Sequence, residues 1–334
     1  MAYRTIITGL GHYVPERVVS NNELAEVIDT SDEWITERTG IKERRWFKPG
    51  FDRTSNMGTK AALMAIENAG LIPNDIDFII FATLSPDYNF PGCGVLVQKE
   101  LGIKEVGALD VRTQCTGFVY GVSIADQYIK TGMYKTILVI GSEIQSNVFD
   151  LSDKGRDLAV IFGDGAGAAV LQVCEDENRG VLSTHLHSEG QYAEELCLLE
   201  PGSRHAKRID METLTEENGI WPYMNGRQVF KHAVVRFVQI INEALEANGL
   251  KPEDLDLIIP HQANLRISEA VRAHFELPKE KFYNNIQKYG NTTAASIPLA
   301  LSEAWREGKV KEGDLICLAS FGSGFTWAST LIRW

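Results

Sequence analysis

An α/β fold of two duplicated halves is what this sequence predicts, and three observations predict it. The first is internal repetition. Gly70-Leu71-Ile72-Pro73-Asn74-Asp75-Ile76-Asp77-Phe78-Ile79-Ile80 returns as Gly249-Leu250-Lys251-Pro252-Glu253-Asp254-Leu255-Asp256-Leu257-Ile258-Ile259, at a constant offset of 179 residues and with seven of eleven positions identical. In both copies an amphipathic segment stops at Gly, a Pro/Asp turn follows and an apolar strand begins, the pattern of a repeated α/β unit. The second is the alternation of short apolar runs with helix-like segments along the chain, which returns each strand to a common sheet. The third is a likeness further on: residues 135–142, KTILVIGS, resemble residues 313–320, GDLICLAS.

The elements follow in order. Residues 4–8 read as a first strand that starts almost at once, without the pattern of a signal peptide. Helices are expected at 22–30 and 54–68, the latter ending at the Gly70 turn. Residues 78–83 are a continuous apolar run, as for a strand covered on both faces. A helix around 92–101, a strand at 106–111, a helix at 118–131 and strands at 136–140 and 166–173 complete the first half. Residues 184–222 are polar, rich in Glu and Arg and contain Pro201-Gly202. They fit no compact pattern and read as a cover over a site. The second half carries helices at 226–247, 265–274 and 293–307, and strands at 257–260 and 315–319. The division is placed at 1–172 and 173–334.

Composition narrows the function. At 334 residues the chain can bury a large core, and no apolar run approaches a membrane span. The net charge of −12 argues against a general nucleic-acid binder but leaves room for a local basic patch facing an acidic partner. Five scattered cysteines without CxxC spacing fit the reducing cytoplasm.

Cys115 stands where a strand, Leu109-Asp110-Val111, gives way to a turn and then a helix. A thiol there faces unpaired N–H groups and a positive helix end, which would lower its pKa and suit a nucleophile. A small buried core residue is the competing reading. Cys317 lies in mid-strand and reads as core, while Cys93, Cys174 and Cys197 lack a comparable helix-start context. His261 follows an apolar strand in Pro260-His261-Gln262-Ala263-Asn264, at the sheet edge where α/β ligands gather. It also fits a structural histidine. Asn291, in Gly290-Asn291-Thr292, is by itself an ordinary turn and cap. Phe162-Gly163-Asp164-Gly165-Ala166-Gly167 faintly suggests a dinucleotide loop but runs into a strand, not the helix that loop needs, which disfavours it. Phe321-Gly322-Ser323-Gly324 follows a strand and brings backbone N–H groups close to something, as an oxyanion hole requires. His185 and His187 share a strand face without a third ligand, and no metal is expected.

Taken together and in this order, the motifs resemble the β-ketoacyl-acyl carrier protein synthase III family of the thiolase superfamily. The likeness runs from Asp32-Glu33-Trp34-Ile35 and Arg38-Thr39-Gly40-Ile41, through Cys115, the 162–167 stretch, His261-Gln262-Ala263-Asn264-Leu265-Arg266 and Gly290-Asn291-Thr292, to Phe321-Gly322-Ser323-Gly324-Phe325-Thr326-Trp327. It implies a thiolase-like five-layered α-β-α-β-α fold, a homodimer, acyl-CoA and malonyl-acyl carrier protein as substrates, and no cofactor. It assigns Cys115 as the acyl carrier and His261 and Asn291 as the decarboxylation pair, with the backbones of Cys115 and Ser323 as oxyanion donors. Trp34, Arg38 and Arg156 match CoA-binding positions, Arg266 a carrier-protein docking position, and Phe90 an acyl-pocket residue given to the neighbouring subunit. The Asn separates initiating synthases from elongating ones, which use two histidines. A Ser320-Phe321-Gly322-Ser323 loop without cysteine separates the chain from thiolases. Ser323 replaces a Gly found in some members, Arg227 replaces an Asn, and the 190–222 cover is longer than usual. Specialised ketosynthases and acyltransferases of secondary metabolism share the same triad.

Overall fold

The computed structural model describes residues 3–212, 214, 215, 217 and 219–334; Met1, Ala2 and positions 213, 216 and 218 of the expected cover lie outside the described residues. In chain order the elements are β1 (Arg4–Tyr13), β2 (Arg17–Ser20), α1 (Asn21–Ala25), α2 (Asp32–Thr39), β3 (Glu43–Trp46), α3 (Thr54–Asn68), β4 (Phe78–Ala82), α4 (Cys93–Glu100), β5 (Gly107–Val111), α5 (Gly117–Lys130), β6 (Thr136–Glu143), α6 (Arg156–Ala159) and β7 (Gly165–Cys174). They continue with β8 (Gly180–Ser188), β9 (Leu196–Cys197), β10 (Tyr223–Met224), α7 (Gly226–Ala247), β11 (Leu257–Pro260), α8 (Leu265–His274), α9 (Ile286–Tyr289), α10 (Ser296–Arg306), β12 (Leu315–Gly322) and β13 (Thr326–Arg333).

Two sheets carry the molecule. The first has the order β1-β7-β6-β4-β5 and the second β11-β12-β13-β8. In each, a parallel pair (β4 with β6, β11 with β12) continues into two antiparallel strands, β7 and β1 or β13 and β8. Among the described residues the second sheet has no counterpart of β5; a single parallel bridge from Ile258 to Phe282 stands in its place. Three apolar cores separate the layers. One joins α3 and α4 to the first sheet, one joins α7 and α8 to the second, and the largest packs α5 and α10 between both sheets. The result is the five-layered α-β-α-β-α arrangement.

Hydrogen bonds fix the register of the duplication. Asp77 Oδ2 accepts from the Thr136 N–H at 2.9 Å, and Asp256 Oδ2 accepts from the Leu315 N–H at 2.8 Å. The pairs 77/256 and 136/315 are both 179 apart, so the likeness read as 135–142 against 313–320 is corrected by one residue. Gly117 and Ser296, the first residues of α5 and α10, obey the same offset.

Three further expectations are corrected. The helix expected over 22–30 is only α1, because the chain past Ala25 is drawn toward the 150s, where Asp153 accepts from the Asp29 N–H at 2.7 Å. Residues 184–188, read as part of a patternless cover, belong to β8, whose edge pairs with β13. Cys93 does open a helix, α4, where Asp110 accepts from the Cys93 and Gly94 N–H groups. The glycines at 163, 165 and 167 answer to close packing: a Cβ on Gly167 would lie 2.5 Å from the Leu299 nitrogen of α10, and one on Gly163 would lie 2.2 Å from the Tyr289 carbonyl oxygen.

Candidate active site

Cys115 sits in a single 3-10 turn between β5 and α5, 6% exposed. Gln114 before it adopts φ +47°, a left-handed conformation that aims the turn inward. The second half completes its surroundings. Ser320 of β12 donates its hydroxyl to the Cys115 carbonyl at 2.7 Å, and Gly322 lies so close that a Cβ there would stand 2.5 Å from the Cys115 Cβ and 2.9 Å from Sγ. Burial, followed by the nearby Glu143 carboxyl, pushes the thiol up to about 12, while hydrogen bonds from the Ser323 and Cys115 N–H groups pull it down. This corrects the expectation of a lowered pKa: the short turn is buried, and desolvation outweighs the donors. The Cys93 and Cys317 thiols are pushed up as well, by burial.

His261 follows β11, 1% exposed, with its N–H held by the Ala319 carbonyl at 2.8 Å. Its Nδ1 is 2.6 Å from the Ser296 Oγ, and its buried Nε2 has no partner among the described residues. Burial lowers its pKa to about 3, so the ring is neutral. Asn291 is pinned by its backbone, which bridges to Phe162, and its Oδ1 accepts from the Thr293 N–H at 2.8 Å. That leaves the Nδ2 amide as the outward-facing donor. Cys115, His261, Asn291 and Ser323 all line one cavity of about 860 Å³, walled by both halves.

The flanking candidates Trp34, Arg38, Arg156, Arg266 and Phe90 are not among the residues that line this cavity. Two guanidinium groups lie over the Trp34 ring, Arg38 at 4.6 Å and Arg156 at 4.9 Å from its centre. Asn264, which lines the cavity, donates to the Arg38 carbonyl at 3.0 Å and so joins this stack to the site. Arg266 is exposed on α8, 5.6 Å from the Phe230 ring at the cavity edge. Phe90 is 82% exposed and lies outside its own protomer's cavity. Leu196, Leu198, Glu200, Pro201 and Arg208 of the cover line the cavity, and the Ser323 hydroxyl bonds to the Leu196 carbonyl. His185 and His187 both hydrogen-bond to Glu243, at 3.2 and 2.7 Å.

Sequence reasoning missed three residues here. Ser320 reaches Cys115 across the two halves, while Ser296 meets His261 and Gln262 34–35 residues away and Glu143 meets Thr83, Leu84 and Ser85 58–60 residues away, so no local pattern marks them. Glu143 ends β6 fully buried and accepts from Thr83, Ser85, the Leu84 N–H and Gln145. Burial raises its carboxyl to about 7.

Two family models match the chain: 3-oxoacyl-[acyl-carrier-protein] synthase III over residues 109–190 and its C-terminal part over 245–334. Among curated relatives, β-ketoacyl-[acyl-carrier-protein] synthase III of Caldanaerobacter subterraneus subsp. tengcongensis is 46% identical, over 98% of this chain and 97% of its own length. That of Rhodospirillum centenum is 44% identical over the full length of both. The chain belongs to the β-ketoacyl-acyl carrier protein synthase III family. It is a condensing enzyme of the thiolase superfamily, as the fold alone also suggests. The crystal structure of the 3-oxoacyl-[acyl-carrier-protein] synthase III of Aquifex aeolicus superposes with a TM-score of 0.90 at 45% identity, covering 99% of this chain and 100% of that one. The priming β-ketosynthase of the R1128 polyketide pathway follows at 0.89 and 33%, covering 99% and 96%.

Proposed function

We propose that this enzyme loads an acyl group from acyl-CoA onto Cys115 and condenses it with malonyl-acyl carrier protein, the step that initiates fatty-acid synthesis. The observation that carries the residue roles is His261 Nε2, buried without a partner among the described residues, in the cavity that also holds Cys115 and Asn291, whose Oδ1 is taken by the Thr293 N–H.

In the first stage the Cys115 sulfur attacks the thioester carbonyl, and the departing CoA sulfur takes the thiol proton. The acyl oxygen gains charge against the Cys115 and Ser323 N–H groups, which already lean on the sulfur. In the second stage the malonyl C–C bond to the carboxylate breaks and CO2 leaves. The electron pair passes to an enolate, whose oxygen is held by His261 and Asn291. The carbanion attacks the acyl carbon, Cys115 departs as thiolate, and a proton from solvent restores it. A histidine that stays neutral down to about pH 3 cannot act as a charged acid here, and it need only donate one hydrogen bond.

The remaining assignments rest on position. The Arg38–Trp34–Arg156 stack supports a CoA site, since an aromatic face flanked by cations suits adenine and phosphates. Exposed Arg266 supports docking of an acidic carrier domain on an otherwise acidic enzyme. The exposure of Phe90 and the open edge of β5 support a homodimer in which Phe90 enters the partner's acyl pocket. In this reading residues 1–172 supply the nucleophile and 173–334 the His and Asn. Among the described residues no helix is long and apolar enough to cross a membrane. The five free cysteines support the cytoplasm as its place of work.

Mass spectrometry after mixing the enzyme with a panel of acyl-CoAs tests the first stage. A stable adduct on Cys115, absent in Cys115→Ala, is expected. No adduct with any donor would sink the assignment. Adding malonyl-acyl carrier protein should then release CO2 and a β-ketoacyl product, whereas acyl transfer to an alcohol or amine without CO2 would mark a specialised acyltransferase.

A further inference from the structure

Ser296 opens α10 and is buried, so its hydroxyl proton has no access to bulk water. Its Oγ has two hydrogen-bond neighbours among the described residues. One is the Gln262 N–H at 3.3 Å, which can only donate; the other is His261 Nδ1 at 2.6 Å. A serine hydroxyl carries one proton. Nδ1 is therefore the one acceptor available to it, and donation there obliges the neutral imidazole to carry its own proton on Nε2. The opposite tautomer would leave the Ser296 proton without an acceptor and turn a bare Nε2 lone pair toward the cavity, where it would repel an enolate oxygen.

The duplication supports the same assignment independently. At the offset of 179, His261 corresponds to Ala82 and Ser296 to Gly117. Where the first half has Ala82 in place of the histidine the hydroxyl is also absent, and a Cβ on Gly117 would lie 2.9 Å from that of Ala82. The imidazole and its hydroxyl partner occur together or not at all.

We propose that Ser296 is the positioning residue that fixes His261 in the Nε2–H tautomer, with Gln262 orienting the hydroxyl by donating its N–H to Oγ. This rests on the proposed role of His261 as an enolate donor, but its primary readout needs no substrate. In the wild-type enzyme labelled with 15N-histidine, long-range imidazole correlations, assigned by difference from His261→Asn, should report Nε2–H for His261. An Nδ1–H tautomer overturns the proposal outright. In Ser296→Ala the Nε2–H population should fall, and malonyl decarboxylation should drop by roughly tenfold to a hundredfold. Cys115 acylation should change by less than about threefold, which reports that the site is still folded. Ser296→Thr, which keeps the donor, should restore the tautomer and most of the decarboxylation. Unchanged tautomer and decarboxylation in Ser296→Ala would also refute the idea. A correct tautomer in an enzyme that never decarboxylates malonyl thioesters would instead refute the proposed function while leaving Ser296 in its role.

Discussion

Two turns sit at equivalent places in the two halves, one carrying Cys115 and the other Ala294, 179 residues later. Their surroundings are built from matching positions with opposite content. Facing Cys115, β12 presents Ser320, which donates to its carbonyl, and Gly322, which leaves room for the thiol. Facing Ala294, β6 presents Gly141, which leaves room for its carbonyl, and Glu143, whose carboxyl takes the Ala294 N–H. One half thus keeps a reactive sulfur beside an empty position, and the other fills the equivalent volume with a buried acid beside a methyl group. The lesson is that a duplicated frame makes one shared site by specialising its twin positions in opposite directions. Neither half holds a complete site.

Three measurements sharpen or break that contrast. The largest effect is expected from Gly322→Ala, whose Cβ would displace Cys115 by on the order of an ångström; the acylation rate should fall about a hundredfold. A variant acylated at the wild-type rate would mean that the room beside the sulfur is not needed. Gly141→Ala, the equivalent change in the other half, presses on the Ala294 carbonyl from 2.3 Å. It should lower stability by about 1–3 kcal/mol in denaturant melts, while the folded fraction still acylates Cys115.

The third concerns pH. Glu143 holds its proton to about pH 7 when folded but only to 4.5 when unfolded, so between those values the folded state binds the extra proton and stability falls as pH rises. His261 behaves in the opposite sense. Its unfolded imidazole takes a proton below 6.5, the folded one not until about 3, so stability falls as pH drops through that window. The two slopes, each up to about 1.4 kcal/mol per pH unit, oppose one another between 4.5 and 6.5. Relative to wild type, Glu143→Gln should therefore gain stability with rising pH over that range, and His261→Asn should lose it. Melts of both variants at several pH values decide this, and parallel slopes in the two would contradict the assignment of buried ionisation to these residues.

How much of this was legible depended on whether the signal was local. The long amphipathic helices α3, α5 and α7 and the apolar strands β4 and β11 stood out by periodicity. β8 and β13 did not, because His185, His187, Ser329 and Thr330 give them polar content although β13 is buried along nearly its whole length. Helix α2 had readable ends, Ser31 capping the Trp34 N–H and Gly40 left-handed at φ +80°, but its polar body hid it. Cys115 and His261 were visible because each follows a strand. Glu143 looks like any strand end in sequence, and Ser296 like any helix start. Their partners come from segments distant in sequence, 34–35 residues away for Ser296 and 58–60 for Glu143 with Thr83, Leu84 and Ser85, and the burial that reverses the expected shift at Cys115 is likewise a product of tertiary packing.

The hydroxyl bond from Ser320 to the Cys115 carbonyl spans 205 residues. At ribosomal speeds of about 5–20 residues per second, a nascent chain displays Cys115 for roughly 10 to 40 s before the strand that completes its pocket exists. Until β12 and β13 close the second sheet, that sulfur is an ordinary, wet thiol open to oxidants and electrophiles. The same long reach that buries the mature cysteine therefore makes biosynthesis the period of its greatest chemical exposure.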